Sequence, residues 1–215
     1  KVPTFSKKMG PLLTGKAEVS FGAMDVDNPV DDSIRRQNLL LRSEQFDHSA
    51  WTKTGTTNVT ANNTTAPDGT TTADKMTQLI GSGTIYQEAT NTPTNIGTQT
   101  VTARVCVKAG TSLALGVYLK FYGAGTTQYA YGLFVFSTGT LSPAEFGASV
   151  VQATSLAIGN GWYEIIISAT GSDARNSRVS LTIEEGVVSS PGSYYGWGAQ
   201  IFVNEPGTSE KYVQT

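Results

Sequence analysis

The amino-acid sequence predicts an all-β protein, built as a two-sheet antiparallel β-sandwich of the jelly-roll type. Short runs in which apolar and polar residues alternate are separated by clusters of Gly, Pro, Asn and Asp, and no long stretch shows a 3.6-residue period. Only 15% of the residues are charged, while Thr, Gly, Ser and Asn fill the polar positions. No motif repeats at a fixed spacing, so a sandwich is favoured over a propeller.

The chain is predicted to have two parts. Residues 1–36 contain one brief strand-like run and are predicted to form an extended N-terminal arm or linker, because so little apolar periodicity cannot build a core. Residues 37–215 are predicted to form the jelly-roll domain, whose length is ordinary for one β-sandwich. An arm of this kind would be ordered by packing on its own domain or on a neighbouring subunit, which favours a homo-oligomer.

Alternation along the strands predicts which side chains face the core. The clearest strand runs from Ser112 to Tyr122, with apolar residues at every second position. Three other segments show the same pattern. The predicted inward rows are Leu113, Leu115, Val117, Leu119 and Phe121; Val101, Ala103, Val105 and Val107; Tyr163, Ile165, Ile167 and Ala169; and Val179, Leu181 and Ile183.

Two turns are predicted between these strands. The run from Ala66 to Gly69 has Pro at the second position and Gly at the fourth, which is typical of a type I turn. The run Gly159-Asn160-Gly161 supplies three residues that tolerate positive φ, so it predicts a tight connection between two strands.

Charge and cysteine content exclude several classes of function. The formal net charge is -2, and the Lys and Arg residues are scattered, so no basic face for nucleic acid is expected. No stretch approaches the roughly 18 apolar residues of a membrane span. Cys106 is the only cysteine, which excludes an intrachain disulfide and a cysteine-based zinc cluster. By alternation Cys106 points away from the core row, and a plain strand position is expected for it.

The sequence is predicted to be non-enzymatic. His48 is the only histidine and lies in a polar turn, and there is no Gly-x-Ser-x-Gly elbow, phosphate-binding Gly loop or His-Glu-x-x-His pair. Glycoside hydrolysis needs only two carboxylates that face each other across a cleft. Because the chain has five acidic residues that could supply such a pair, this activity stays open. Glu184 and Glu185 are neighbours on one strand and are expected to point to opposite faces. The five acidic residues are Glu145, Glu164, Glu184, Glu185 and Asp173.

Tyrosines on the face opposite the core row form the best candidate for a glycan-binding patch. Tyr118, Lys120 and Tyr122 project from one strand, and Tyr129 and Tyr131 repeat the spacing soon after. Sugars bind flat aromatic rings flanked by polar groups, which this pattern could supply. The same tyrosines would also suit contact with the second sheet's edge or with a sister subunit, and this alternative stays open. The three tryptophans, at strand positions, are expected to pack in the core.

Five sequence marks, in order along residues 38–215, carry a family resemblance. They are NLLLRSEQFD followed by AWTK at 38–53, APDGT followed by TADK at 66–75, VKAG at 107–110, GNGWY at 159–163 and WGAQI at 197–201. In these marks the chain resembles a jelly-roll module of tailed-phage structural proteins, which is itself similar to carbohydrate-binding modules. Glu164 and Phe202 depart from the pattern, where Arg and an acidic residue are common.

The resemblance implies a function, a location and partners. It implies a virion structural protein that exposes its domain on a tail fibre, spike or capsid-decoration surface of the phage particle, next to other virion proteins. The alternative it implies is a carbohydrate-binding module that recognises host-surface glycans. No cofactor is expected. By resemblance alone, Glu44 and Asp47 are possible oxygen ligands for a structural calcium; the acidic run 25–32 lacks the Gly and Glu of an EF-hand loop.

Overall fold

The computed structural model describes residues 38–55, 57–78, 83–89, 96, 99–123, 125, 127–173, 178–185 and 192–203. The predicted N-terminal arm, residues 1–36, lies outside the described residues. Within the described ranges, no helix is long and apolar enough to cross a lipid bilayer.

The described residues form an all-β structure of two antiparallel sheets, which confirms the predicted fold class. Sheet A has the strand order β1-β4-β11-β6-β7-β8, and sheet B has the order β2-β3-β12-β5-β10-β9. The strands are β1 (Thr52–Thr54), β2 (Thr57–Thr64), β3 (Ala73–Gln78), β4 (Thr84–Glu88), β5 (Thr100–Ala109), β6 (Ala114–Tyr122), β7 (Gln128–Val135), β8 (Thr140–Phe146), β9 (Ala148–Gly159), β10 (Trp162–Gly171), β11 (Arg178–Glu185) and β12 (Gly192–Val203).

The main core lies between the two sheets and is built from the predicted inward rows. Rows from β6 and β11 of sheet A meet rows from β5 and β10 of sheet B in one buried cluster. Leu113 was predicted to join the β6 row, and this prediction is wrong, because Leu113 precedes the first residue of β6 and is 65% exposed. Its carbonyl oxygen instead accepts a hydrogen bond from the Phe136 amide at 3.0 Å.

Both predicted turns are confirmed. The Gly69 amide donates to the Ala66 carbonyl at 3.0 Å, which closes the turn before β3. Gly159, Asn160 and Gly161 have φ values of 97°, 52° and 78°, so all three occupy the left-handed region in the connection from β9 to β10. Two glycines and an asparagine are the residues that reach this region at the least cost.

Buried polar groups fix the segment that leads into β1. The Asp74 side chain is almost fully buried, and its Oδ2 accepts the amides of Phe46 at 2.7 Å and Asp47 at 3.3 Å. Its Oδ1 accepts the Asn62 amide at 2.8 Å. The Trp51 ring packs on the Phe46 ring at a centroid separation of 4.5 Å. One carboxylate therefore joins the first loop to sheet B.

The three tryptophans are buried, as expected, although only Trp51 belongs to the main core. Trp162 and Trp197 lie with Cys106 in a second cluster on the outer side of sheet B. The loop before β3 covers this cluster, since the Trp162 indole donates to the Thr65 carbonyl at 3.1 Å and the Trp197 indole to the Thr72 hydroxyl at 3.0 Å. Burial, and after it the Glu164 carboxylate, raises the pKa of the Cys106 thiol to about 12.

Candidate glycan-binding face

The predicted tyrosines lie on the outer face of sheet A, and the pairing of β6 with β7 brings them together. Tyr118 is directly opposite Tyr131, and Lys120 is directly opposite Tyr129. Directly opposed residues in an antiparallel pair point to the same side of the sheet, and their Cβ atoms are roughly 5 Å apart. The strand spacing predicted from the sequence thus becomes a compact group of side chains.

Ring geometry shows that three tyrosines form one contiguous surface. The Tyr118 and Tyr131 rings stack, with centroids 4.9 Å apart and planes 16° apart. The Tyr129 ring contacts both of them, at 5.9 Å from Tyr118 and 6.0 Å from Tyr131. All three side chains are half-buried, so each retains contact with solvent.

Phe146 extends this surface and was not predicted. It is the last residue of β8, it is 54% exposed, and its ring stacks on Tyr129 at 5.4 Å with a 23° interplanar angle. The only indication in the sequence that Phe146 lies on this face is its spacing of two residues from Ala144. The nearby Pro143 interrupts the strand pattern and hides this spacing. We refer to Tyr118, Tyr129, Tyr131 and Phe146 as the aromatic face.

The charged groups beside the aromatic face are matched to one another. The Lys120 ammonium lies 5.0 Å from the centroid of the Tyr118 ring and 3.8 Å from a Glu184 carboxylate oxygen. Burial, the Glu184 charge and a hydrogen bond to Glu184 together raise the pKa of the Tyr118 hydroxyl to about 12. At neutral pH this hydroxyl is protonated, and it donates its proton to the Glu184 carboxylate.

A glycine sets the position of the Tyr118 ring. A Cβ atom added at Gly116 would lie 2.8 Å from Cε2 of Tyr118, so the ring leans along β6 over the space that Gly116 leaves. In a strand, glycine often marks a place where another group approaches the backbone closely. Here that group is the edge of an aromatic side chain on the candidate surface.

Tyr122 belongs to a separate polar group on the same face of sheet A. Its hydroxyl lies 3.1 Å from the Ser180 hydroxyl, and the Arg178 guanidinium lies 5.5 Å from the centre of its ring. Arg178 also donates to Glu88 at 2.7 Å. Of the five predicted site residues, the structure therefore brings Tyr118, Lys120, Tyr129 and Tyr131 together; Tyr122 contacts other partners.

Three of the carboxylates left open for glycoside hydrolysis have structural partners. Glu145 accepts the Val150 amide at 2.6 Å. Glu164 lies 3.9 Å from the buried Arg104, and Glu184 lies 3.8 Å from Lys120. Glu164 pairs with Cys106 on the outer side of sheet B and Glu184 lies on the outer side of sheet A, so these two cannot face each other across a cleft.

Glu44 and Asp47, the calcium ligands implied by the resemblance, lie in the loop before β1. No group of three or more His, Cys, Asp or Glu side chains that could hold a metal occurs in the part of the chain that the structure describes. A side-chain ammonium instead holds the loop that contains Glu44 and Asp47. Lys53 donates to the carbonyl oxygens of Asp47 and His48, both at 2.8 Å.

No protein-family model and no curated protein matches the sequence. Among solved structures, the chain is similar to the tailspike protein 4 enzymatically active domain of Bacteriophage CBA120, with 15% identity and a TM-score of 0.49, over 77% of this chain and 21% of that one. It is similar to TmCBM61 in complex with β-1,4-galactotriose, with 13% identity and a TM-score of 0.44, over 78% and 99%. It is also similar to a Clostridium thermocellum xylanase chain with a carbohydrate-binding module, with 14% identity and a TM-score of 0.44, over 84% and 30%.

These structural neighbours are a phage tailspike domain and proteins with carbohydrate-binding modules. At such low identities and TM-scores the likenesses carry no argument about function, and the chain spans about a fifth of the tailspike chain. The protein itself is a two-sheet antiparallel β-sandwich with an aromatic outer face.

Proposed function

We propose that this protein is a non-catalytic glycan-binding module and that the aromatic face of sheet A is its binding surface. The observation that supports the proposal is the packing of four aromatic side chains from three adjacent strands into one solvent-accessible patch. Aromatic rings suit the apolar CH faces of sugar rings, while their polar edges and neighbours replace hydrogen bonds to water. Tyr hydroxyls, the Lys120 ammonium and the Glu184 carboxylate supply such polar groups beside the rings.

The charges on this face favour a neutral saccharide over an acidic one. Lys120 is matched by Glu184 at 3.8 Å, and Arg178 is matched by Glu88 at 2.7 Å. An acidic sugar would need an unmatched cation to offset the loss of its hydration, because removing a charged group from water is costly. Neutral hexose or pentose oligomers meet no such requirement.

Replacing Tyr118 and Tyr131 with Ala is expected to weaken glycan binding by at least about tenfold. Each aromatic contact is worth about 0.5–1.5 kcal/mol beyond its buried area, and about 1.4 kcal/mol corresponds to a factor of ten in affinity. The probe is the best neutral oligosaccharide from an array screen, titrated by NMR at millimolar concentrations, since a single weak site is expected to bind in roughly the millimolar range.

Two further variants make this test decisive. Gly116→Ala keeps every aromatic side chain but forces the Tyr118 ring to shift, so it should weaken binding while leaving the fold intact. Tyr195→Ala removes a half-buried tyrosine of sheet B, whose partner in register is Lys108, and should bind like the parent chain. Unchanged binding in folded Tyr118→Ala/Tyr131→Ala and Gly116→Ala variants would refute the proposed surface.

We also propose that the module is displayed on a tailed-phage particle, with residues 1–36 as its attachment to neighbouring virion proteins. Five ordered sequence marks across residues 38–215 support this setting. Antibodies against the chain should label intact purified virions of the phage that encodes it, and deletion of residues 1–36 should release the domain from the particle. Absence of the chain from purified particles would contradict the proposal.

A further inference from the structure

Strand β9 forms a long edge of sheet B. It runs from Ala148 to Gly159, which is 12 residues and about 40 Å at roughly 3.3 Å per residue. Strand β10 pairs with one side of it, and no other described strand pairs with the opposite side. An edge of this kind presents unpaired backbone N–H and C=O groups that can add a strand from another chain.

The other sheet edges carry features that discourage pairing. Strand β1 has only three residues and contains Lys53. Strand β8 contains Pro143 and Glu145, and β2 is interrupted by a register shift between Thr60 and Thr64. Short strands, charges, prolines and bulges are the devices by which proteins protect their edges. In β9 there is no proline and no charged residue, and its protection is limited to two register shifts in its pairing with β10.

The open part of the β9 edge can be delimited from its hydrogen bonds. The Glu145 carboxylate accepts a hydrogen bond from the Val150 amide at 2.6 Å. Val150 lies next to a register shift in the pairing of β9 with β10. The segment 153–159 follows this register shift and is the part of the edge that we assign to a partner strand.

Exposed apolar side chains lie within and next to this segment of β9. Val151 is 61% exposed, Leu156 is 52% exposed and Ile158 is 38% exposed. Leu156 is paired with Glu164 of β10, and Ile158 lies at the second register shift of β9. Single exposed apolar side chains are ordinary, whereas several along one unprotected edge mark an interaction surface.

We propose that the β9 edge pairs antiparallel with the β9 edge of a second copy of this chain. Two identical strands can pair in this way around a two-fold axis, which makes the contact self-complementary. A charged residue in such a strand would face its own copy or a near neighbour, and like charges across a strand pair are destabilising. Segment 148–159 carries no charge, so self-pairing incurs no such repulsion.

A dimer of this geometry has a defined arrangement of its two aromatic faces. Directly opposed residues of an antiparallel pair point to the same side of the sheet, so the two B sheets continue into each other with the same faces aligned. Both A sheets then lie on one side of the dimer and both aromatic faces point in the same direction. The dimer itself does not depend on whether those faces bind a glycan.

The test is the mass of the full 215-residue chain in solution over a concentration series. The parent chain should approach twice its 22.7 kDa by sedimentation or light scattering, and Leu156→Lys/Ile158→Lys should remain at the monomer mass. The control is Asn58→Lys/Thr60→Lys, which places two lysines at exposed positions on β2, the opposite edge of the same sheet. This control should dimerise like the parent chain.

Hydrogen exchange locates the interface within the dimer. Amides in segment 153–159 should gain protection as the parent concentration rises, and should not do so in Leu156→Lys/Ile158→Lys. A parent chain that is monomeric at all concentrations overturns the proposal, as does a dimer that survives the two β9 lysines. A trimer or a larger assembly also overturns it, because a two-fold strand pair closes with two copies.

Discussion

Replacing Asp74 with Ala is expected to lower the free energy of unfolding by about 3–5 kcal/mol. The side chain is 1% exposed and accepts hydrogen bonds from the amides of Phe46, Asp47 and Asn62. Hydrogen bonds to a charged group are worth about 1.5–3 kcal/mol each, and buried donors left without partners add a further cost. Because whole domains are stable by only about 5–15 kcal/mol, this one residue is expected to decide whether the loop before β1 stays folded.

Urea denaturation at neutral pH measures this loss, with Asp68→Ala as the matched control. Asp68 is exposed, and its carboxylate accepts the Thr70 amide within a turn at 2.9 Å. Its replacement should cost about 1 kcal/mol or less, as is usual for an exposed hydrogen bond. If the Asp74→Ala and Asp68→Ala variants lost equal stability, the Asp74 carboxylate would not be the group that joins the loop before β1 to sheet B.

The pH dependence of stability gives a second measure of Asp74. Burial raises the pKa of this carboxyl above its ordinary value of 3.8, against the lowering effect of the hydrogen bonds from Asn62 and Phe46. The folded state then holds the proton more tightly than the unfolded state, so the contribution of Asp74 to stability increases as pH falls from neutral toward the unfolded value. Relative to Asp74→Asn, the parent chain should gain stability on acidification through that window. Parallel pH profiles for the two chains would contradict the inferred direction.

Replacing Trp51 with Ala is expected to cost about 3–5 kcal/mol, which is the usual range for removing a large aromatic side chain from a core. Trp51 is 1% exposed, and its ring packs against the tilted Phe46 ring with the centroids 4.5 Å apart. Its indole donates to the Arg42 carbonyl at 3.0 Å, so the variant also removes one of the two hydrogen bonds that this carbonyl accepts, the other being from the Gln45 amide at 3.1 Å. Thermal and chemical denaturation of the purified variant measure the loss.

Leu113→Ala is the control for Trp51→Ala. Alternation predicts a core position for Leu113, yet the side chain is largely exposed, so its replacement should change stability by no more than about 0.5 kcal/mol. A large loss at Leu113 would mean that the side chain is covered in solution.

The double variant of Asp74 and Trp51 should lose less stability than the sum of the single losses, because Phe46 contacts both residues and couples them.

The sequence predicts the core of this fold better than its connections. Burial between two sheets has a period of two residues, so Leu115, Val117 and their counterparts are recognisable without a structure. The pattern cannot tell where a strand begins, which explains the error at Leu113. It also cannot tell which strands are neighbours, and the placement of β11 beside β6, more than 50 residues away in sequence, has no local signal.

The candidate site could be predicted in part for the same reason. Tyr118 and Tyr131 share a face by alternation, and their strands are close in sequence, so their meeting required only one hairpin-like pairing. Phe146 depends on the position of a third strand, and the separation of Tyr122 depends on Arg178 from β11. Residues contributed by distant strands are the part of a site that a single sequence does not reveal.

The burial of Cys106 has a practical consequence for labelling. Its thiol is covered by the second cluster, and its pKa of about 12 keeps it protonated at neutral pH, whereas nucleophilic attack requires the thiolate. As the only cysteine of the chain, it leaves the parent protein inert toward maleimide and iodoacetamide reagents. A cysteine introduced at exposed Leu113 would then be the single reactive thiol, so a fluorophore or spin probe could be attached at one known position without removing any native residue needed for the fold.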